Sequence, residues 1–316
     1  MGKRKKINVI IDTDPGVDDV AAISLSLYDD IMDIKMISTV NGNLDLETVT
    51  RNMMHVLELF NRTDIPVYKG AAKAMCRVSP DARFIHKLEG MGGYLPPKTV
   101  TTQPQEGDAV EKMYETIVAH KNDISIIAVG PLTNIGLLIS RHPDVVGMIN
   151  HIYTEGCSPY GWKRPGKWST YISFNASSDP EALKIVVESG IPVTMVESMI
   201  GREVTNFTEE EVNHIGKIND VGRFLAEMYS NYWEFGYADR RIATNDTCAC
   251  MSLRFPELFK TKKASFNVNT TDAPGKTVIE LNKNGNVNFI TKVNKKKLHK
   301  RFFEAIKKLD FIKIYK

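Results

Sequence analysis

Four aspartates lie within eight residues near the beginning of the sequence. Asp12, Asp14, Asp18 and Asp19 directly follow an apolar run at residues 9–11 that is typical of a buried strand. Carboxylates this close repel each other, and burying them is costly unless a cation lies among them. Helix capping explains one or two of the four, because an Asp in the first turn complements the helix dipole. A hard cation with oxygen ligands, such as Ca²⁺, explains all four.

The elements that must position these aspartates follow from the hydrophobic pattern. Strands are predicted at residues 8–13, 34–40, 124–129, 151–154 and 193–196. Helices are predicted at residues 18–28, 46–60, 109–120, 132–141, 180–188 and 221–235. This alternation predicts an open, mostly parallel α/β sheet flanked by helices. The aspartates then lie at the carboxyl end of the first strand, where such sheets bind ligands.

The C-terminal part of the chain has a different character. Runs at residues 264–269, 277–281 and 287–292 predict a small antiparallel addition to the sheet, with Asn284-Gly285 as a hairpin turn. Long loops are expected at residues 70–107, 155–179 and 236–245. We find neither an internal repeat nor a linker, so residues 1–316 are expected to form one domain.

Composition narrows the classes of partner and compartment. The 316 residues include 42% hydrophobic residues and only four cysteines, which form no CxxC pair. Reduced thiols in a cytoplasmic protein are therefore expected. The sequence contains neither an apolar run long enough to cross a bilayer nor an aromatic-plus-basic pattern for reading nucleic acid. We expect a small-molecule substrate, with no membrane or nucleic-acid partner.

An aspartate-based phosphatase is one interpretation of two aspartates after a strand. Phosphatases of the haloacid-dehalogenase type use D-x-D at this place and continue with Gly-Thr-type residues. Here Pro15-Gly16 follows instead, and a second acidic pair comes after it. The second pair disfavours a phosphatase, which would also need Mg²⁺ rather than Ca²⁺.

The segment "DTDPGVDD" resembles the N-terminal motif of the nucleoside hydrolases, the inosine-uridine-preferring ribohydrolase family. Further matches follow in the family's order over almost the whole chain. They are "TVNGN" (39–43), His86 four residues before "GMG" (90–92), "AVGPLTNI" (128–135), "FNASSDPEA" (174–182) and "NDTCA" (245–249). The resemblance implies an open α/β fold, hydrolysis of the N-glycosidic bond of ribonucleosides, and assembly as a homodimer or homotetramer.

The resemblance also implies a tightly bound Ca²⁺. By its motifs, the metal ligands would be Asp14, Asp19, Asp246 and the backbone carbonyl of Val129. Asp12 would support these ligands from behind. Asp14 would in addition be the base that takes a proton from the attacking water.

The resemblance assigns the remaining motif residues to contacts with the ribose. The resemblance places Asp18 and Asn43 beside the ribose hydroxyls and the attacking water, and Asn175 on the ribose. His86 becomes a catalytic candidate through the same alignment. Departure of the base leaves an oxocarbenium-like ribosyl group, and carboxylates around the sugar stabilise its positive charge.

Two positions depart from the family pattern, and both would contact the substrate. Many family members carry His immediately before the last metal aspartate, as a candidate acid for the leaving base, but this chain has Asn245. The family's Glu on the ribose 5′ side is replaced by Ser173. The preceding Gly-Asn stretch is replaced by "CSPYGWKRPGKWSTY" (157–171), in which Trp162 and Trp168 are candidates for stacking on a base.

These departures predict that the substrate is not plain inosine or uridine. A bulkier or modified base is one option, such as a 7-deazapurine nucleoside of the queuosine type. A 5′-substituted or phosphorylated nucleoside is another, because Lys163, Arg164 and Lys167 would suit an anion. A non-catalytic nucleoside-binding relative is an alternative from another class. The retained aspartates disfavour it, because binding alone needs no base to activate water.

Overall fold

The computed structural model describes residues 6–78, 82–87, 89–157, 163–164, 167–168, 172–230, 232 and 241–309. The strands are β1 (Ile7–Thr13), β2 (Met32–Thr39), β3 (Val67–Lys69), β4 (Ile124–Ala128), β5 (His151–Cys157), β6 (Lys163–Arg164), β7 (Lys167–Trp168), β8 (Val193–Glu197), β9 (Phe259–Val268), β10 (Thr277–Leu281) and β11 (Val287–Val293). The helices are α1 (Val17–Ser26), α2 (Leu46–Leu59), α3 (Arg83–His86), α4 (Ala109–Ala119), α5 (Thr133–Arg141), α6 (Phe174–Ser178), α7 (Pro180–Glu188), α8 (Glu209–Gly216), α9 (Asp220–Ser230), α10 (Asn245–Arg254) and α11 (Lys295–Lys308).

Nine strands form one sheet in the order β10-β9-β11-β8-β5-β4-β1-β2-β3. The strands from β11 to β3 in this order run parallel to their neighbours, and β9 is antiparallel to β10 and β11. The predicted fold class, with its antiparallel C-terminal strands, is confirmed. Strands β6 and β7 pair separately as a two-stranded ribbon.

The central strand β1 is buried on both faces, which explains its unbroken apolar run. Val9 and Ile11 pack into the core on the side of α1, α2 and α10, whereas Ile10 packs with α4, α5 and α7 on the other side. The two helical layers bury β1 on both faces, and its neighbours in the sheet are β4 and β2. The residues that follow β1 therefore leave the sheet from an interior strand. In the described part of the chain, no helix is long and apolar enough to cross a membrane.

Most of the predicted helix and strand bounds agree with the structure, with three exceptions. Strand β5 continues to Cys157, beyond its predicted end at residue 154. Strand β9 begins at Phe259, five residues before the predicted start, because residues 260–263, three of them lysines, are all exposed and show no apolar alternation. The predicted continuation of α9 beyond Ser230 lies mostly outside the described residues. The short elements β3, β6, β7, α3 and α6 were not predicted, since two to five residues show no readable period.

The predicted hairpin at Asn284-Gly285 is wrong. Leu281 at the end of β10 and Val287 at the start of β11 both pair with Ala264, but on opposite sides of β9. The chain therefore crosses β9 at Ala264 instead of folding back beside β10. A Cβ on Gly285 would overlap the Ala264 carbonyl, so glycine is needed for close approach of the backbones and not for a hairpin turn.

Candidate active site

A cleft opens at the carboxyl ends of the central strands β1, β4, β5 and β8. Eight of the residues predicted for the site line it: Asp18, Asn43, His86, Val129, Ser173, Asn175, Asn245 and Asp246. They come from segments as far apart in the sequence as Asp18 and Asp246, and they meet because parallel strands end at the same edge of the sheet. The sequence motifs therefore converge on one place.

Asp14 lies beneath this cleft in a tight backbone cradle. The Asn43 amide donates a 2.7 Å hydrogen bond to Asp14 Oδ2, and Asn43 Nδ2 donates to the Asp14 carbonyl at 3.1 Å. A Cβ on Gly42 would overlap Oδ2, and one on Gly130 would lie 2.8 Å from Oδ1. Asp14 Oδ1 is buried and has no hydrogen-bond partner among the described residues. The site thus holds a buried carboxylate oxygen whose acceptor capacity the protein leaves unused.

Three further carboxylates meet beside Asp14. One oxygen from each of Asp18, Asp19 and Asp246 lies within 4.8 Å of the others. Asp19 is held from below by Thr13 Oγ1 at 2.7 Å, the Gly16 amide at 3.0 Å and Asn43 Nδ2 at 3.1 Å. The Gly16 contact belongs to a capping box at the start of α1. Pro15-Gly16 thus turns the chain so that the first helical turn returns its acidic residues to the strand end.

Burial makes this carboxylate cluster unfavourable in its ionised form. Burial, followed by the charge of Asp19, raises the pKa of Asp18 to about 7 and that of Asp14 well above its usual range. Burial, followed by Asp18, raises the pKa of Asp246 well above its usual range. A divalent cation would reverse these shifts by favouring the charged forms. Oxygen-only donors and the unpaired Asp14 Oδ1 fit a hard cation such as Ca²⁺.

Asp12 lies behind the cluster and does not line the cleft. Its Oδ1 accepts hydrogen bonds from Ser38 Oγ at 2.5 Å and from Asn134 Nδ2 at 2.8 Å. Burial raises its pKa to about 7. Asn134 also bonds the Thr39 carbonyl and the Ala71 amide, so it ties the ends of neighbouring strands to Asp12.

Glu155 is a cleft carboxylate that sequence reasoning missed. Asn175 Nδ2 donates both to the Val129 carbonyl at 2.7 Å and to Glu155 Oε1 at 2.6 Å. Burial, followed by Asp18, raises the pKa of Glu155 to about 8. The sequence pattern predicts a loop at Glu155, whereas β5 continues to Cys157. An acidic residue directly after an apolar strand is the same signal that identified Asp12, and it was available here.

Arg202 is the second functional candidate that was missed. It lies in a short π-helix, Ile200–Val204, and lines the same cleft. Its positive charge acts to lower the pKa of both Asp18 and Glu155. Single π-helical turns are frequent at functional sites. No motif around residue 202 points to this role, because π-helical geometry has no readable sequence pattern.

His86 is buried in the cleft wall as a neutral ring. Its Nδ1 accepts a hydrogen bond from the Val17 amide at 3.2 Å, and its ring centroid lies 5.5 Å from that of Tyr232. Burial lowers its pKa to about 3. Because Nδ1 is the acceptor, the proton of the neutral ring belongs on Nε2. His86 therefore offers a hydrogen-bond donor rather than a positive charge.

The two residues that depart from the family pattern are both buried at the cleft. Ser173 is 1% exposed and immediately precedes α6. Asn245 is the first residue of α10, and its Oδ1 is buried without a partner among the described residues. A Cβ on Gly201 would overlap this oxygen, so the Asn245 side chain packs tightly against the π-helix.

The tryptophan predictions remain untested. Trp162 lies outside the described residues, and the structure describes only the backbone of Trp168, in β7 opposite Lys163. Stacking of either ring on a base stays a prediction, as does contact of Lys163, Arg164 and Lys167 with an anion.

The sequence matches one protein family and its relatives, and the fold matches solved structures. The family model described as inosine-uridine preferring nucleoside hydrolase matches residues 9–300. A non-specific ribonucleoside hydrolase RihC from Salmonella paratyphi B is 31% identical over 280 residues, which cover 87% of this chain and 88% of the relative.

Two solved structures share the fold. A purine-preferring ribonucleoside hydrolase from Gardnerella vaginalis has a TM-score of 0.85 at 25% identity, covering 96% of this chain and 98% of its own. The plant nucleoside hydrolase PpNRh1 has a TM-score of 0.85 at 24% identity, covering 95% of this chain and 99% of its own.

Proposed function

The chain belongs to the inosine-uridine preferring nucleoside hydrolase family and is an N-ribohydrolase, and we propose that it works with a bound Ca²⁺ on a nucleoside other than plain inosine or uridine. The observation that carries the metal proposal is the group of buried carboxylates, because these residues repel one another without a cation. Their raised pKa values and the unpaired Asp14 Oδ1 both support an ion at this place.

In this proposal Asp14, Asp19, Asp246 and the Val129 carbonyl hold the ion. The Val129 oxygen already accepts one hydrogen bond from Asn175, and a carbonyl oxygen has a second lone pair left for a metal. When bound, the ion would lower the pKa of a water and orient the ribose hydroxyls.

The side chains of the protein then divide the remaining tasks. Asp14 takes a proton from the attacking water, with Asn43 fixing its orientation by the two hydrogen bonds described above. Asp18 lines the cleft and stabilises the positive charge that develops on the ribosyl group. Asn175 binds the ribose. Asp12 supports the strand end beneath them.

The substrate proposal rests on Asn245 and Ser173. The Asn245 amide is not acidic enough to protonate a leaving base, and His86 is neutral, so neither supplies a cationic acid. Such a cleft fits a substrate whose base leaves without protonation by a cationic acid. It also fits a base whose modification makes additional contacts with the protein. A modified base such as a 7-deazapurine of the queuosine type remains within this proposal.

The test measures ribose release by the calcium-loaded protein from a panel of canonical, modified and 5′-phosphorylated nucleosides. We expect release from at least one modified nucleoside to be faster than from inosine and uridine. Asp14→Asn is the matched control for contaminating activity, because it keeps the side-chain shape but loses the base. Fast turnover of unmodified inosine or uridine would overturn the substrate part of the proposal.

We also propose a cytoplasmic location and assembly as a homodimer or homotetramer. The four cysteines are free thiols, three of them buried, which suits a reducing compartment. The oligomer follows from the family resemblance alone. Light scattering on the purified protein would measure it, and a monomer would contradict it.

A further inference from the structure

A β-bulge turns Glu155 toward the cleft. The pairing of β5 with β8 shifts between Glu155 and Cys157, which leaves Gly156 as the extra residue. Gly156 has φ +123°, and a Cβ there would lie 2.9 Å from Asn175 Cβ. Bulges beside active sites commonly re-aim a side chain, and glycine is the residue that adopts this φ without strain. The bulge therefore fixes where the Glu155 carboxylate lies.

One oxygen of this carboxylate is bound, and the other is almost free. Glu155 Oε1 accepts the 2.6 Å hydrogen bond from Asn175. Oε2 is approached only by Ser198 Oγ, at 3.4 Å, among the described residues. That hydroxyl has a single proton, and it also lies 3.3 Å from the Cys157 carbonyl. Oε2 thus keeps acceptor capacity for a group that enters the cleft.

The neighbouring side chains make this side of the cleft a hydrogen-bond acceptor. Both amide protons of Asn175 are used by Val129 and Glu155, so Asn175 can offer a ligand only its carbonyl oxygen. The carboxylates of Asp18, Glu155 and Asp246 line the cleft together. Among the described lining residues, Arg202 is the sole charged base. Because the three carboxylates outnumber this one guanidinium, a donating hydroxyl fits this environment better than a phosphate does.

Glu155 also lies close to the position where the family's carboxylate is missing. The Cβ position of the adjacent Gly156 is 3.7 Å from Ser173 Oγ, and both Glu155 and Ser173 line the cleft. A carboxylate that enters from β5 can therefore serve the same part of the substrate as one that would enter from residue 173.

We propose that Glu155 Oε2 accepts a hydrogen bond from the free 5′-hydroxyl of the ribose, and so selects nucleosides over their 5′-phosphates. This inference rests on the proposed hydrolysis of a nucleoside in this cleft. It makes Glu155 a substrate-contacting residue that replaces the missing carboxylate at Ser173. It also excludes the 5′-phosphorylated substrates that the lysines and arginine near residue 165 suggested.

The test compares one ribonucleoside that the calcium-loaded protein cleaves with its 5′-deoxy analogue. For the native protein, kcat/KM is expected to fall about tenfold or more when the 5′-hydroxyl is removed, as for loss of a hydrogen bond to a charged group. In Glu155→Gln the kcat/KM values of the two substrates are expected to differ by about twofold at most. Both kcat/KM values are measured on the same preparation, so the fraction of folded enzyme cancels in their ratio and partial misfolding does not affect it.

Glu197→Gln is the matched control. Glu197 is a buried glutamate at the end of the neighbouring strand β8 that does not line the cleft, and its variant should keep the native ratio. If Glu155 only positions Asn175, Glu155→Gln will slow both substrates equally, and that result overturns the proposal. Faster cleavage of a 5′-phosphate than of its nucleoside by the native protein also overturns it.

Failure of the proposed function gives a different result. In that case the native protein releases no ribose from any nucleoside, and the Glu155 contact is then measured by binding. Calorimetry on calcium-loaded native protein and Glu155→Gln, with the nucleoside and its 5′-deoxy analogue, gives the same ratio as affinities. A native affinity independent of the 5′-hydroxyl contradicts the proposal.

Discussion

Asn43 holds Asp14 from two sides, through its backbone amide at 2.7 Å to Oδ2 and through its side-chain amide at 3.1 Å to the Asp14 carbonyl. The two residues lie at the carboxyl ends of the adjacent strands β1 and β2, so the parallel pairing of those strands brings them together. One carboxylate oxygen is thereby fixed, and the other is left buried and unpaired among the described residues.

Asp14→Asn should abolish catalysis and leave the fold intact. Asn keeps an oxygen for the Asn43 amide but cannot take a proton, so ribose release should fall by about 10³-fold or more. Replacing a buried carboxyl group whose ionised form is disfavoured should also raise the melting temperature of the metal-free protein. Ribose release and thermal unfolding in chelator check the two parts. Undiminished release would refute Asp14 as the base.

The metal-free protein should lose stability as the pH rises from about 4 to about 8. Asp12 and Asp18 have pKa values raised to about 7, and Glu155 to about 8, whereas in the unfolded chain they titrate near 4. Between these values the folded state binds more protons than the unfolded state, so the stability contributed by these groups is greatest below about pH 4. It falls with rising pH until the groups have ionised in the folded state as well.

Calcium should oppose this loss, because it binds the ionised carboxylates. The calcium-dependent rise in melting temperature should therefore increase with pH, amounting to several degrees at about pH 8. Thermal unfolding with calcium and with chelator across this range is the measurement. A stabilisation by calcium that is independent of pH would contradict the carboxylate site.

Gly42→Ala should damage the site more than the fold. The added Cβ would overlap Asp14 Oδ2, so the carboxylate must move away from the Asn43 amide. We expect kcat/KM to fall about a hundredfold, since small displacements of catalytic groups are costly. Gly147→Ala is the control, because a Cβ there meets nothing within 4 Å. Equal kcat/KM values of the two variants would show that catalysis tolerates displacement of the Asp14 carboxylate, and would contradict the prediction.

His86→Gln should lower the rate without changing the shape of the pH–rate profile. Burial lowers the pKa of His86 to about 3, so it is neutral throughout the range in which an ordinary histidine titrates. Gln retains an acceptor for the Val17 amide and a donor toward the cleft. The profile of kcat/KM from about pH 5.5 to 8.5 is the measurement. Disappearance of a limb near pH 6.5 in the variant would show that His86 titrates during catalysis.

The site residues that could be predicted are those that belong to a pattern within one short stretch of sequence. The apolar run of β1, the turn at Pro15-Gly16 and the two acidic pairs form one continuous segment, and its place at a strand end follows from the strand itself. The fold class followed in the same way from strand–helix alternation. The hairpin at Asn284-Gly285 failed because a turn-forming dipeptide does not say which strand lies beside it.

By itself, the sequence determined the family, the parallel sheet and the cluster of aspartates, because each depends on residues that are near in the chain or on motifs in a set order. Only the tertiary structure decided that Glu155 and Arg202 share the cleft with them. Glu155 reaches it through a bulge at Gly156, and Arg202 through a π-helical turn after β8. Both depend on a departure from regular backbone geometry. The place of Glu155 after an apolar strand makes it a candidate by sequence, but only the bulge decides that its carboxylate faces the cleft.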